Sequence, residues 1–294
     1  MSFLMTQAVL AGIVNGCIYA LTGMGLAAIF KGTRVINAMQ GEFSIIAAIA
    51  TVLLMRGYGL PYWAAISGGI ASGAVIGAVV EIMLVRPMNA RNAPDDSYLL
   101  LTIGLAMTLS ACVLYFVGRD SYGLPPIGGD GVIFVSDAIL QEHAAWLIGI
   151  VLLLSLVIRQ FYHKTTLGLS MMAASIDPDG AATSGVDVRM MRTCTFALGG
   201  ILGAVAGVLV APIVPVNYHL GLALTLKGFA AAILGGLTNP MGAVIGGLVL
   251  GLVESLAVVG VPSGYRDVVA FSALIAIMIF MPHGLLGHAG RKGG

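Results

Sequence analysis

The feature that most constrains this sequence is a succession of apolar runs nearly free of charge, each roughly 15–25 residues long, the length a helix needs to cross a bilayer's hydrocarbon core. A soluble globule of this size must coat itself in polar groups. Here charged residues are 9% of 294, against about 25% in ordinary soluble domains. In lipid the backbone must satisfy its own hydrogen bonds, so these runs predict helices and an all-α polytopic membrane protein. A net charge of +1 provides no field to attract nucleic acid, and the bilayer is the surrounding partner.

The runs cover 6–30, 42–55, 61–85, 98–117, 144–158, 193–213, 222–237, 241–259 and 267–281. They predict nine crossings, or eight if 222–259 crosses once despite its break at Asn239-Pro240. No basic stretch precedes the first run, so it is expected to stay as a helix with its N-terminus outside. Nine crossings then place ten Lys and Arg residues inside, from Lys31 and Arg34 to Arg291 and Lys292. Four fall outside: Arg56, Arg119, Lys227 and Arg266. That asymmetry follows the positive-inside rule, while eight crossings weaken it to nine against five. Aromatic residues near the run ends, among them Tyr58, Trp63, Tyr115, Trp146 and Tyr162, fit an interfacial belt.

Enzyme chemistry finds no foothold. None of the four lysines sits in a P-loop pattern, so the chain offers no ATP site of its own. Cys17, Cys112 and Cys194 form no CxxC pair and read as small buried hydrophobes. His143, His163, His219, His283 and His288 are scattered near run ends and read as solvated or interfacial side chains. No catalytic residue, metal or cofactor is expected.

Glycine, at 41 residues, is about twice its usual share. Gly12 and Gly16, then Gly69, Gly73 and Gly77, then Gly199, Gly203 and Gly207, then Gly242/Gly246 and Gly247/Gly251 recur at four-residue spacing. Such stripes let neighbouring helices approach closely. The stripes sit in runs one, three, six and eight, which suggests two copies, 6–117 and 193–282, in opposite orientation within one domain over 1–294. Inverted repeats of this kind belong to transporters, with the pathway between the copies near short or broken helices.

An ionisable group at mid-bilayer costs about 2.5–3.5 kcal/mol on insertion scales, so the polar residues inside the runs are informative. Glu42 follows Asn37 and Gln40 at the start of short run two, where a helix N-terminus favours a carboxylate. A structural role there competes with one as gate or coupling element. Lys227 and Asn239 flank run seven, and Lys227 could equally be an interfacial anchor. Asn15 in run one is most simply a helix–helix hydrogen bond. Asn15, Asn37, Gln40, Glu42, Lys227 and Asn239 are the candidate pathway residues. Glu254, well inside run eight, is expected to face protein or a wet cavity.

The longest inner segment, 159–192, is expected to fold as two short amphipathic helices, with Asp177-Pro178 starting the second and Gly185 interrupting it before Met191. Such a pair suits docking of a soluble partner, for which cysteines at Ala174 and Ala182 are the natural crosslinking positions.

At this point the sequence resembles a known family. Val35-Ile36-Asn37-Ala38-Met39-Gln40-Gly41-Glu42-Phe43, Thr165-Thr166-Leu167-Gly168, Gly180-Ala181-Ala182-Thr183-Ser184-Gly185-Val186, the stretch Lys227-Gly228-Phe229 to Leu237 and Gly242 to Gly247 follow one another as in the LivH-type permeases of branched-chain amino acid ABC importers. The resemblance covers nearly the whole chain. It implies a type II importer-like permease working by alternating access in a bacterial inner membrane. It also implies a second related permease, two ATP-binding cassette subunits and a periplasmic substrate-binding protein as partners. By the same resemblance Thr165, Thr166, Gly168, Asp177, Asp179, Ala181, Ala182 and Gly185 couple to the ATPase. Gly180 departs from the family, which usually has an acidic residue there. Rival readings are a permease of the same class for urea, short amides or other amino acids, and an ion-coupled carrier using Glu42 or Glu254.

Nine crossings make a direct prediction. A reporter fused after Lys292 should be active on the cytosolic side, and activity confined to the periplasm would remove the nine-span topology.

Overall fold

The computed structural model describes residues 2–91, 93–129, 131–135, 138–260, 265–280 and 284–286. In chain order the elements begin with α1 (Ser2–Thr33), α2 (Gln40–Tyr58) and α3 (Tyr62–Val80). A π-helical turn (Glu81–Val85) carries α3 into α4 (Arg86–Ala90), and α5 (Asp95–Phe116) follows. A hairpin of β1 (Val132–Val135) and β2 (Ala138–Gln141) leads to α6 (Glu142–Lys164). Then come α7 (Thr166–Ile176), α8 (Pro178–Thr183), α9 (Val188–Val210), α10 (Leu220–Gly235), α11 (Pro240–Gly260) and α12 (Arg266–Phe280).

Every predicted run falls on a helix. Seven helices among the described residues, counting α3 through α4 as one, are long and apolar enough to cross a membrane. The other two are shorter: α10 has 16 residues and α12 has 15. At 1.5 Å per residue α10 spans about 24 Å, less than a hydrocarbon core of about 30 Å. The last run's end at 281, His283, His288, Arg291 and Lys292 lie outside the described residues.

The glycine stripes decide which helices meet. α1 packs along α11, and α9 packs along α3. A Cβ placed on Gly16 would lie 2.8 Å from Leu248 Cα, and one on Gly247 would lie 2.6 Å from the Ala20 nitrogen. Across the other pair, a Cβ on Gly73 would lie 2.6 Å from the Gly200 oxygen, and one on Gly77 would collide with the Phe196 carbonyl. α10 lies against α1, where a Cβ on Gly23 would come 2.8 Å from the Gly228 oxygen, and α2 lies against α9, where one on Gly207 would strike Ser44. Backbone therefore rests on backbone at these crossings, so dispersion contacts replace the hydrophobic drive that lipid does not supply. Threonines in the packed helices do not strand their hydroxyls. Thr22, Thr51, Thr195 and Thr225 each donate to the carbonyl four residues earlier.

The two ends of the bundle differ. One carries Lys31, Arg34, Arg86, α7 and α8. There Glu81 accepts from Arg86 at 2.9 Å and from Thr193 at 2.7 Å, tying α3 to α9. The other carries the hairpin, pinned to α1 because the Gln7 side chain both donates to the Ile139 carbonyl and accepts from its amide.

Three local expectations are corrected. The second loop helix, expected over Gly180 to Met191 with Gly185 interrupting it, does not continue to Met191. It ends at Thr183, because Gly185 adopts φ +85° and Val186 donates back to the Ala181 carbonyl at 3.0 Å, a Schellman closure. His143 is buried rather than solvated: Nδ1 accepts from the Ile127 amide at 3.0 Å and Nε2 donates to the Leu209 carbonyl at 2.8 Å, so both ring nitrogens are bonded. Tyr162 is also buried, its hydroxyl donating to the Ala28 carbonyl and Lys31 lying over its ring.

Replacing Gly16 by Val should push α1 off α11 at a cost of about 1–3 kcal/mol, the usual range for overpacking. Gly57, in the exposed last turn of α2, has open space where its Cβ would be, so Gly57→Ala should be neutral or slightly stabilising. Thermal unfolding in detergent separates the two, and equal midpoints would remove the packing argument.

Candidate functional site

Two helices begin inside the bundle rather than at its ends, and α5 serves as the ruler. The chain before α2 is held where the Ala38 amide donates to Thr102 Oγ1 at 3.1 Å. The chain before α10 is held where Ser110 Oγ donates to the Tyr218 carbonyl at 2.7 Å. Thr102 and Ser110 both lie within α5, eight residues apart, or about 12 Å along its axis. Non-helical backbone at such depth must be bonded to protein. Asn37 Oδ1 accepts from the Met39 amide, and Asn217 Oδ1 accepts from the His219 amide, each at 3.1 Å. The same two-residue device recurs at Asn239, whose Oδ1 accepts from Met241 at the start of α11.

The first turns of α2 and α10 touch. The Gly41 amide donates to Thr225 Oγ1 at 2.8 Å, and a Cβ on Gly41 would strike the Gly221 carbonyl. Gln40 reaches across to α9, its Nε2 donating to the Gly199 carbonyl at 2.9 Å while Oε1 accepts from Asn37. Beside this junction, against α5, lies a cavity of about 310 Å³. Its wall is mostly apolar, with Ile103, Met107, Leu114 and Leu222, and its polar members are Glu42, Ser110, Tyr218 and His219. The Glu42 carboxylate is 1% exposed and faces Gly221. Its Oε2 has no hydrogen-bond partner among the described residues. It stands in the first turn of α2, where the helix's partial positive charge stabilises an anion.

The six pathway residues therefore separate. Asn37, Gln40 and Glu42 come together at the α2–α10 junction. Lys227 turns away toward α1 and α11, donating to Glu254 Oε1 at 2.8 Å and to the Tyr19 hydroxyl at 3.1 Å. Asn15 donates to Ser255 Oγ at 3.3 Å and joins α1 to α11, and Asn239 sits at the α10–α11 turn. Sequence reasoning missed Asn217, Thr225, Ser110, Tyr218 and His219. A signal for Asn217 existed: like Asn37, it stands five residues before the start of a short apolar run.

Comparison with known proteins now fixes the family. Residues 8–279 match the family described as branched-chain amino acid transport system / permease component. The chain belongs to that family. It is 29% identical to the high-affinity branched-chain amino acid transport system permease protein LivH of Escherichia coli strain K12, over 96% of this chain and 95% of that one. It is 28% identical to the permease protein BraD of Pseudomonas aeruginosa, over 96% and 95%, and 27% identical to the probable permease protein LivH of Methanocaldococcus jannaschii, over 95% and 92%. The chain is thus a multi-pass membrane permease.

The permease's second candidate surface is the α7–α8 loop. Thr165 Oγ1 caps α7 by accepting from the Gly168 amide, and Asp177 caps α8 by accepting from the Gly180 amide at 2.9 Å. A Cβ on Gly180 would crowd the Asp177 carboxylate, so an acidic side chain at 180 would meet like charge. Gly168 and Ala181 are turned inward, Gly168 against the Phe161 backbone. Thr165, Thr166, Asp177, Asp179, Ala182 and Gly185 are exposed. Ala174 is only 4% exposed, which removes it as a crosslinking position, whereas Ala173 beside it is open. Leu169 and Ile176, seven residues apart on α7, are exposed apolar side chains, Ile176 at 68%.

Removing Lys227 strands a buried carboxylate. Lys227→Met should destabilise by about 3–5 kcal/mol, the usual cost of breaking a buried pair. Adding Glu254→Gln should recover a large part of it. The readout is thermal unfolding of the purified chain, and a double variant no better than Lys227→Met would remove the ion pair as the cause.

Proposed function

We propose that this chain is the transmembrane permease subunit of an ATP-driven importer for branched-chain, apolar amino acids in the bacterial inner membrane. Its N-terminus lies outside and its C-terminus is cytosolic. A second related permease chain, two ATP-binding cassette subunits and a periplasmic substrate-binding protein complete the importer, and ATP is hydrolysed by the cassette subunits. The observation that carries this reading is the near full-length match to amino acid permeases, joined to an apolar cavity at the meeting of two helix starts. The cavity's few polar groups suit brief passage of a small zwitterion with an apolar side chain.

In this reading 6–117 and 193–282 are inverted halves. The paired contacts support it: α1 on α11 matches α9 on α3, and α1 on α10 matches α9 on α2. The contacts pair Gly16 with Gly200 and Gly23 with Gly207, and in the short helices Ser44 with Gly228. The sequence comparison of Gly41-Glu42-Phe43 with Lys227-Gly228-Phe229 is therefore displaced from this register. α10 then crosses as the short counterpart of α2, which supports nine crossings. Alternating access is a rocking of the halves about the α2–α10 junction. The α7–α8 loop receives the motion of the ATPase through its exposed residues, with Leu169 and Ile176 as apolar anchors. An ion-coupled carrier is less well supported, because Glu254 is already paired with Lys227.

Docking is testable in the assembled importer. A cysteine at Ala173 or Ala182 should crosslink to the ATP-binding subunit, and one at buried Ala174 should not. Labelling of Ala182→Cys only by reagents added from outside would remove both the docking surface and the orientation.

A further inference from the structure

Three carboxylates are buried among the described residues, and two are held by cations. Glu81 is bonded by Arg86 and Thr193, and Glu254 by Lys227. Glu42 is different. It lines the cavity, it is buried, and its Oε2 is bonded to no group among the described residues. A desolvated carboxylate with an unbonded acceptor and no ion pair among the described residues is costly to keep charged unless something supplies the missing donor. The other titratable groups on the cavity wall are Tyr218, which is half-buried, and His219, which is exposed.

The surroundings say what chemistry completes it. The first turns of α2 and α10 converge here, and the partial positive charge at two helix starts favours an anionic group. The carboxylate of Glu42 calls for a cationic donor. The apolar wall of Ile103, Met107, Leu114 and Leu222 calls for an aliphatic body. A free amino acid with an apolar side chain carries all three features in one small molecule, and about 310 Å³ is room for it. A neutral amide offers no cation, and a fatty or keto acid has a carboxylate but no ammonium group to meet Glu42.

We infer that the Glu42 carboxylate receives the α-ammonium group of the cargo, in the cavity bounded by α2, α5 and α10. Glu42 thereby makes the permease itself a reader of the free amino group, a check separate from the one made by the binding protein. This deepens the proposed function and rests on it for the cargo class.

Two measurements test it in the assembled importer. The first leaves Glu42 untouched. Ala111 lines the cavity, and Ala111→Cys in a Cys112→Ser background is labelled with methyl methanethiosulfonate, the Cys112→Ser chain being the blank. Leucine and 3-methylbutylamine should slow labelling, and 4-methylpentanoate, which lacks the amine, should not. Equal protection by 4-methylpentanoate, or protection by none of the three, overturns the inference. The second compares leucine uptake into proteoliposomes. Glu42→Gln should lower it about tenfold or more, the scale of one lost charge-assisted contact, with Glu42→Asp recovering much of the loss. Uptake by Glu42→Gln within twofold of wild type overturns the inference too. Leucine uptake by the wild-type importer alongside an unprotected Ala111→Cys leaves the proposed function standing and removes only the role of Glu42. No leucine uptake by the wild-type importer removes the proposed function itself.

Discussion

Close approach of backbone to backbone is the constraint on which the rest of this bundle depends. In lipid, apolar side chains gain little by leaving one hydrocarbon surface for another, so association must come from tight packing. Gly16 on Gly247 and Gly73 on Gly200 meet where a single added methyl group has no room. These contacts put α1 against α11 and α3 against α9, and the remaining helices are placed around those two pairs. The excess of glycine in the composition is therefore a packing requirement, paid for in helix propensity of up to about 1 kcal/mol per residue.

That packing makes room for an arrangement a side-chain-filled bundle could not hold. α2 and α10 start within the protein, so the chain before each must run non-helically at depth. Every such stretch needs polar partners, and the sequence supplies them at Asn37, Asn217, Thr102, Ser110 and Thr225. These bonds are structural, and they account for most of the polar atoms near the cavity. Glu42 remains after that accounting, which is why burial alone does not explain it.

How far this was legible in the sequence depends on the range of the interaction concerned. Hydropathy is a local sum, so all nine apolar runs landed on helices. Caps are local too, and Asp177 and Thr165 cap α8 and α7 through bonds spanning three residues. The hairpin had a local signature in two mostly apolar quartets, Val132–Val135 and Ala138–Gln141, separated by two residues, but the quartets are too short to stand out beside long hydrophobic runs. What was not legible came from distant partners. His143 reads as solvated until the Leu209 carbonyl, 66 residues away, is seen to accept from it. Asn15, Lys227 and Glu42 look alike as polar residues in apolar runs. Only the fold shows that Ser255 takes the first, that Glu254 takes the second, and that no described group takes Glu42 Oε2.

The same contacts link the α7–α8 loop to the cavity wall. α7 is fastened to the end of α1 by Ser175 Oγ, which donates to the Lys31 carbonyl at 2.7 Å, and α6 is fastened nearby by Tyr162 to the Ala28 carbonyl. α1 in turn rests on α10 where Gly23 meets Gly228, and the first turn of α10 walls the cavity opposite Glu42. Interlocked side chains resist displacement, because each knob must leave its hole. Glycine surfaces present no knobs, so two helices can shift along one another while keeping most of their dispersion contacts, the small sliding that characterises shear motion. In the importer proposed above, a push delivered at α7 would enter α1 and be released as sliding at the α1–α10 face. The move requires no breakage of the Lys227–Glu254 pair if α10 and α11 travel together, and their own tight contact, where a Cβ on Gly235 would strike Gly242, makes them one body.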